Sequence, residues 1–272
     1  MSVWPFKKHG AVVGMIHVGA LPGTPASRVG VDELTNRAAR EAAFYRECGV
    51  DGLMVENMHD TPYLRGRVGP EVVAALAVVC RAVKEEGRLP TGVQVLAAAN
   101  AEALAVAHAA GLDFIRAEGF VFAHVADEGF IQSSAAELLR FRKSIGAERV
   151  GVWADVKKKH SSHAITADLS LGETAAAVEF MRGDAVIVTG TATGEPPRAS
   201  ALAEAKSRCR LPVLVGSGVT DANVAEFYEE ADAFIVGSYF KRDGLWSNPL
   251  ERERVERLLD AVRVQRARPA AV

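Results

Sequence analysis

Residues Pro212 to Val224 read PVLVGSGVTDANV. An apolar run of strand character passes into Gly-Ser-Gly, then into Thr-Asp and an apolar helical pattern. Two glycines and a serine at such a junction let backbone N–H groups approach something small without a Cβ in the way. The same grammar recurs along the chain. Strand-like runs begin at Val12 (VVGMIHVG), Gly52 (GLMVEN), Thr91 (TGVQVLAA), Asp113 (DFIRAEGF), Arg149 (RVGVWADV), Asp184 (DAVIVTG), Pro212 (PVLVGSG) and Ala233 (AFIVGSYF). Most are near-continuous apolar runs, as strands buried on both faces of a parallel sheet require.

Helical patterns alternate with them. They cover Asp32–Cys48, Pro70–Glu86, Asn100–Ala110, Ser134–Ile145, Glu173–Arg182, Ser200–Cys209, Asp221–Glu230 and Asn248–Arg266. Five stop at a glycine, namely Gly49, Gly87, Gly111, Gly146 and Gly183, the usual left-handed helix stop. Strict alternation predicts an α/β fold with a parallel sheet. Eight units within 272 residues predict a single (β/α)8 TIM barrel over residues 1–272, fraying near 267–272. A doubly wound open sheet is the alternative. It is disfavoured because HVGALPGTP, after the first strand, lacks the GxGxxG turn.

Bulk properties exclude several classes. Thirty-two basic residues balance thirty-four acidic ones, so nucleic acid is not an expected partner. Apolar content of 49% fits a globular protein with a full core, and no run is long enough to span a membrane. The N-terminal stretch to Ala20 superficially resembles a signal peptide, but it contains His17, lacks a cleavage site and reads as a strand. Three cysteines without a CxxC spacing indicate reduced thiols. The cytoplasm is the expected compartment, with a mitochondrial presequence left open.

In such barrels the site lies at the C-terminal strand ends, and the last two loops often hold a phosphate. Here both end in Gly-Ser: Gly216-Ser217-Gly218 and Gly237-Ser238. These residues, the start of the following helix and Lys241 make a candidate phosphate cup, with tight barrel corners as the plainer alternative. Candidate catalytic groups sit at the other strand ends: His17, Glu56, Arg116, Glu118, and Asp155 with Lys157 and His160 in ADVKKKH. Asp155 and Lys157 share strand parity, which predicts a carboxylate beside an ammonium, suited to proton transfer. Arg116 and Glu118 also share parity and are expected to pair. Lys158 and Lys159 read equally as a solvated run. A Schiff base through Lys157 is a narrower version of the same chemistry. His17, Glu56, Asp155, His160 and His163 are ligand types that leave a divalent metal open. TGTATGEPP, from Thr189 to Pro197, reads either as a lid or as a stiffened connection.

With HVGALPGTP, GLMVENMHDTPY, FIRAEG, WADVKKKHSSHAIT, TGTATGEPP, VLVGSGVTDANV and IVGSYFKRDG on the page, the chain resembles the BtpA family, which includes SgcQ-type proteins. The resemblance implies a ribulose-phosphate-binding type of barrel, a homo-oligomer, and a role in photosystem I biogenesis for cyanobacterial members. It implies no defined reaction. Many bacterial members carry a polar run at the third strand where this chain has QVLAAAN, starting at Gln94, and Asn where it has Glu118. The D-x-K-x-x-H spacing also resembles the D-x-K-x-x-D element of orotidylate-decarboxylase-like barrels, with His160 in the last place. The expectation is an enzyme acting on a small phosphorylated metabolite by lyase-like or isomerase-like acid–base chemistry. A non-catalytic assembly factor is the alternative.

Overall fold

The computed structural model describes residues 3–190 and 192–268. Its strands are β1 (Ala11–His17), β2 (Gly52–Glu56), β3 (Thr91–Gln94), β4 (Phe114–Ala117), β5 (His124–Ala126), β6 (Gly129–Ile131), β7 (Gly151–Val156), β8 (Ser161–Ser162), β9 (Ala185–Val188), β10 (Val213–Val215) and β11 (Ala233–Val236). Eight of them, β1-β2-β3-β4-β7-β9-β10-β11, pair in parallel, and β11 returns to β1 to close a barrel. Around it run α1 (Val31–Cys48), α2 (Pro70–Gly87), α3 (Asn100–Ala110), α4 (Ala135–Ser144), α5 (Leu171–Phe180), α6 (Ala199–Arg208), α7 (Val224–Phe227) and α8 (Arg252–Arg266). The (β/α)8 architecture is as the alternation predicts, and the N-terminal apolar stretch is strand β1.

Strand periodicity divides the core into two shells. On β1, Val12 and Ile16 face the helices, while Ala11, Val13 and Met15 fill the barrel interior. Phe114 and Trp153 stack inside with centroids 3.5 Å apart, and Trp4 and Phe6 pack beneath Trp153 as a floor. Gly92 permits that stack, since a Cβ there would lie 2.1 Å from the Phe114 ring. Two residues further along each strand, the same inward parity reaches His17, Glu56, Gln94, Arg116, Asp155, Thr189, Gly216 and Gly237. The interior is thus apolar at the floor and polar at the mouth.

Several boundaries differ from expectation. The helix expected from Asp221 shrinks to the single turn of α7, because Asn223 Oδ1 accepts from Thr220 N–H and its own amide donates to Gly218 O. The last helix begins at Arg252 rather than Asn248. Arg88, not Gly87, takes the left-handed position after α2. A three-stranded antiparallel sheet, β6-β5-β8, also folds over one side of the mouth. Residues 269–272 of the expected frayed tail lie outside the described residues.

Candidate active site

The mouth holds a cavity of about 420 Å³. On its wall His17 donates from Nδ1 to the Trp246 carbonyl at 3.0 Å. A carbonyl only accepts, so this bond sets the tautomer and leaves Nε2 as an acceptor. That nitrogen stands 3.5 Å from Glu56 Oε2, longer than a hydrogen bond. Burial, followed by the charge of Lys241, lowers the His17 pKa to about 3, so its ring is neutral at pH 7. Burial also pushes the Glu56 carboxyl above its ordinary range, with Arg116 and Lys159 pulling the other way. A carboxyl with raised proton affinity thus stands beside an imidazole held neutral, giving this wall a proton carrier and a hydrogen-bond acceptor.

Arg116 and Glu118 both point into the mouth but do not pair with each other. Arg116 makes a bidentate bond to Asp155, 2.8 Å from each donor, and Glu118 meets Lys158 at 3.3 Å. The expected Asp155–Lys157 juxtaposition does not form. β7 ends at Val156, and Lys157 adopts a left-handed φ of 44°, which breaks the alternation. Its ammonium donates to the Thr166 carbonyl, away from the cavity. Lys158 and Lys159 line the cavity instead, so the run is not a solvated face. His160, at φ 54°, leaves the strand and meets Thr193 Oγ1 at 2.8 Å. The D-x-K-x-x-H spacing therefore does not bring its three side chains together. Asn57, at the end of β2, ties loops: it donates to Asp60 and accepts from Leu96 N–H, while Asp60 holds Leu21 N–H.

Gly216, Ser217, Gly218, Gly237 and Ser238 all line the adjoining wall, with Gly237 next to the His17 ring. Gly218 has a second reason to be glycine. It sits at φ +70°, and a Cβ would lie 2.2 Å from Pro196 N, because the loop after β9 crosses directly over it. Gly194 N–H reaches Ser217 Oγ at 3.3 Å in the same crossing. Lys241 is not part of this wall. Only 2% exposed, its ammonium points to Glu41 on α1 at 3.0 Å. Arg116 Nη2 stands 3.4 Å from where a Gly216 Cβ would lie, committed to Asp155, and a second guanidinium beside the cup is Arg254 of α8, which lies over the Tyr239 ring and donates to the Tyr239 carbonyl. Arg254 carried no sequence signal, since it is one of many arginines on an amphipathic helix. The expected helix dipole is also lacking, because a 3-10 turn, Ser238–Phe240, follows β11 and α7 starts only at Val224.

The sequence signature of the BtpA family matches residues 8–264. The chain belongs to the BtpA family. An uncharacterised mitochondrial protein of Caenorhabditis elegans is 46% identical over 256 residues, covering 92% of each chain. The photosystem I biogenesis protein BtpA of Synechocystis is 32% identical, covering 94% of this chain and 89% of that protein. Among solved structures, thiamine phosphate pyrophosphorylase from Pyrococcus furiosus superposes with a TM-score of 0.55 at 14% identity, covering 94% of this chain and 96% of that one. Orotidine 5'-monophosphate decarboxylase from Methanocaldococcus jannaschii does so at 0.54 and 14%, covering 94% and 100%. At these identities the structures show a shared fold.

Within this BtpA-family barrel, Gln94 and Glu118 touch: Gln94 Nε2 donates to Glu118 Oε1 at 3.1 Å. The Gln94 carbonyl and Glu128 Oε2 are buried without a partner among the described residues, and both residues line the cavity. Glu128 and Asp127 arrive there on the β5–β6 hairpin, which sequence periodicity did not reveal because each strand has three residues. The five candidate metal ligands do not converge. Asp155 is occupied by Arg116, and His163 Nε2 is bonded to the Lys158 carbonyl. Among the described residues no group of three ligand-type side chains is placed to hold a metal. No helix of the described residues is long and apolar enough to cross a membrane.

Proposed function

We propose that the protein is an enzyme that acts on a small phosphorylated metabolite by acid–base chemistry of the lyase or isomerase kind. One observation carries this reading. A single cavity joins a glycine-serine wall with Arg254 beside it to a wall bearing Glu56, His17 and the Glu118–Lys158 pair. The first wall suits a phosphate by backbone and hydroxyl donors and one guanidinium. On the second, Glu56 carries the proton that moves, His17 Nε2 accepts a hydrogen bond from the substrate, and Glu118 with Lys158 orients its other polar groups. Fold relatives named for phosphorylated compounds, thiamine phosphate pyrophosphorylase and orotidine 5'-monophosphate decarboxylase, support the choice of substrate class.

The test is thermal unfolding with inorganic phosphate, glycerol 3-phosphate and sugar phosphates. A ligand at a hundred times its dissociation constant stabilises the native state by about 2.7 kcal/mol. Ser238→Asp places a negative charge in the cup and is expected to abolish the shift, and Arg254→Gln to weaken it. A shift that survives Ser238→Asp would remove the cup from the reading.

The non-catalytic alternative has its own observation. Val125 and Phe130, cross-strand partners on the small sheet, are each 43% exposed at the mouth, and the Synechocystis relative is named for photosystem I biogenesis. An assembly factor would lose a stoichiometric partner in a Val125→Ser/Phe130→Ser variant and be indifferent to Ser238→Asp. No shift with any phosphate compound would favour it.

A further inference from the structure

The three consecutive lysines after β7 have three different environments. Lys157 is bonded to a backbone carbonyl and Lys158 is ion-paired to Glu118. The side chain of Lys159 has neither a hydrogen bond nor an ion pair among the described residues, although it is partly buried and lines the cavity. Its backbone is held firmly. Lys159 N–H donates to Thr189 Oγ1 at 3.0 Å, and residues with left-handed φ, Lys157 and His160, bracket the Lys158–Lys159 pair. Such conformations are unfavourable for residues with a Cβ and persist where the surroundings impose them. The chain is thus bent so that one amine enters the cavity with no hydrogen-bond or ion-pair partner among the described residues.

We infer that Lys159 is the nucleophile of this site and forms an imine with the carbonyl carbon of a phosphorylated aldehyde or ketone. The inference rests on the proposed phosphate cup and narrows its substrate class. An ammonium used only as an electrostatic clamp has to stay charged. Here burial, and next the neighbouring Arg116 guanidinium, shift Lys159 toward the neutral amine, the form that attacks carbonyls, against the opposing pull of Glu56, Asp155 and Glu118. The nitrogen lone pair forms the C–N bond, and the carbonyl oxygen takes a proton to become a hydroxyl. One proton leaves nitrogen. The C–O bond then breaks as a second proton reaches the hydroxyl, water departs, and a protonated imine remains. The net step consumes one amine, one carbonyl and one proton and releases one water. Glu56, on the same cavity wall and with raised proton affinity, is placed to supply that proton. The resulting cation withdraws electrons from the adjacent carbon, which is what lyase or isomerase chemistry needs.

Borohydride reduction of the full-length protein with glyceraldehyde 3-phosphate tests this, read by intact mass and peptide mapping. Glycerol 3-phosphate, which lacks a carbonyl, is the parallel probe in thermal unfolding. The expected result is one adduct, on Lys159, which is absent in Lys159→Met and in Lys159→Arg and present in Lys157→Met. Glycerol 3-phosphate should still stabilise both Lys159 variants. A shift with glycerol 3-phosphate but no adduct, or adducts spread over surface lysines and unchanged in Lys159→Met, overturns the imine and leaves the phosphate cup standing. No shift and no adduct overturns both. An adduct on Lys159 without a glycerol 3-phosphate shift supports the nucleophile and removes the cup.

Discussion

At the scale of single residues, His17 shows how burial chooses a protonation state. Its Nδ1 hydrogen is committed to the Trp246 carbonyl, and its surroundings hold its pKa near 3, below the ordinary 6.5. The unfolded chain therefore binds a proton between these values while the native state does not. By linkage, stability contributed by the neutral ring is present above pH 6.5 and is lost as pH falls toward 3. Between pH 7.5 and 5 the loss from this group is about 2 kcal/mol. Replacing it by Asn removes the titration. The difference in unfolding free energy between wild type and His17→Asn should shift by that amount in the variant's favour over this range, read from urea midpoints. Parallel pH profiles would show that the imidazole is not held neutral. Residue identity at strand ends was legible beforehand for His17, Glu56, Arg116, Glu118 and Asp155, because inward parity puts them at the mouth. Lys157 was not, since a backbone turn at φ 44° overrides parity at the residue where the strand stops.

At the scale of elements, the loop after β9 and the turn after β10 act as one unit. The loop crosses Gly218 so closely that a methyl group would overlap Glu195 and Pro196 backbone atoms, at a φ that favours glycine. Gly218→Ala should therefore cost about 1–3 kcal/mol and displace the loop. Gly237→Ala should cost less, since its φ is −112° and its Cβ would stand 3.3 Å from the His17 ring. Urea denaturation of the two variants checks the order, and equal costs would mean that the crossing is not a fixed contact. The same geometry makes Ser238→Asp a cleaner probe of the phosphate cup than any change at Gly218. It also shows why Gly-Ser-Gly could not be resolved by spacing: ligand access and close chain packing both demand glycine, and here a cavity-lining glycine is also the one the loop crosses.

At the scale of the whole molecule, the barrel separates stability from chemistry along its axis. Trp153 and Asp155 lie two residues apart on the same face of β7. Trp153 stacks on Phe114 above Trp4 and Phe6 at the floor, and Asp155 anchors Arg116 at the mouth. Trp153→Ala is expected to cost about 3–5 kcal/mol in urea denaturation. Because the floor and the cup lie at opposite ends, the affinity for glycerol 3-phosphate by calorimetry should not change. A parallel loss of affinity would show that the interior layers transmit strain to the mouth.

The sequence by itself determined the eight alternating units, the inward parity of each strand and the Gly-Ser endings of the last two, because these are local properties of period and composition. It also carried the family, through motifs spread in order over nearly the whole chain. Only the tertiary structure decided which charged groups meet. Arg116 joins Asp155 across two neighbouring strands, Glu118 meets Lys158 beyond a turn, Lys241 leaves the cup for Glu41 on α1, and Arg254 comes in from the last helix. Those pairings link residues up to 200 positions apart. Their partners are set by how closely the closed barrel and its loops bring side chains together, a property no local pattern encodes.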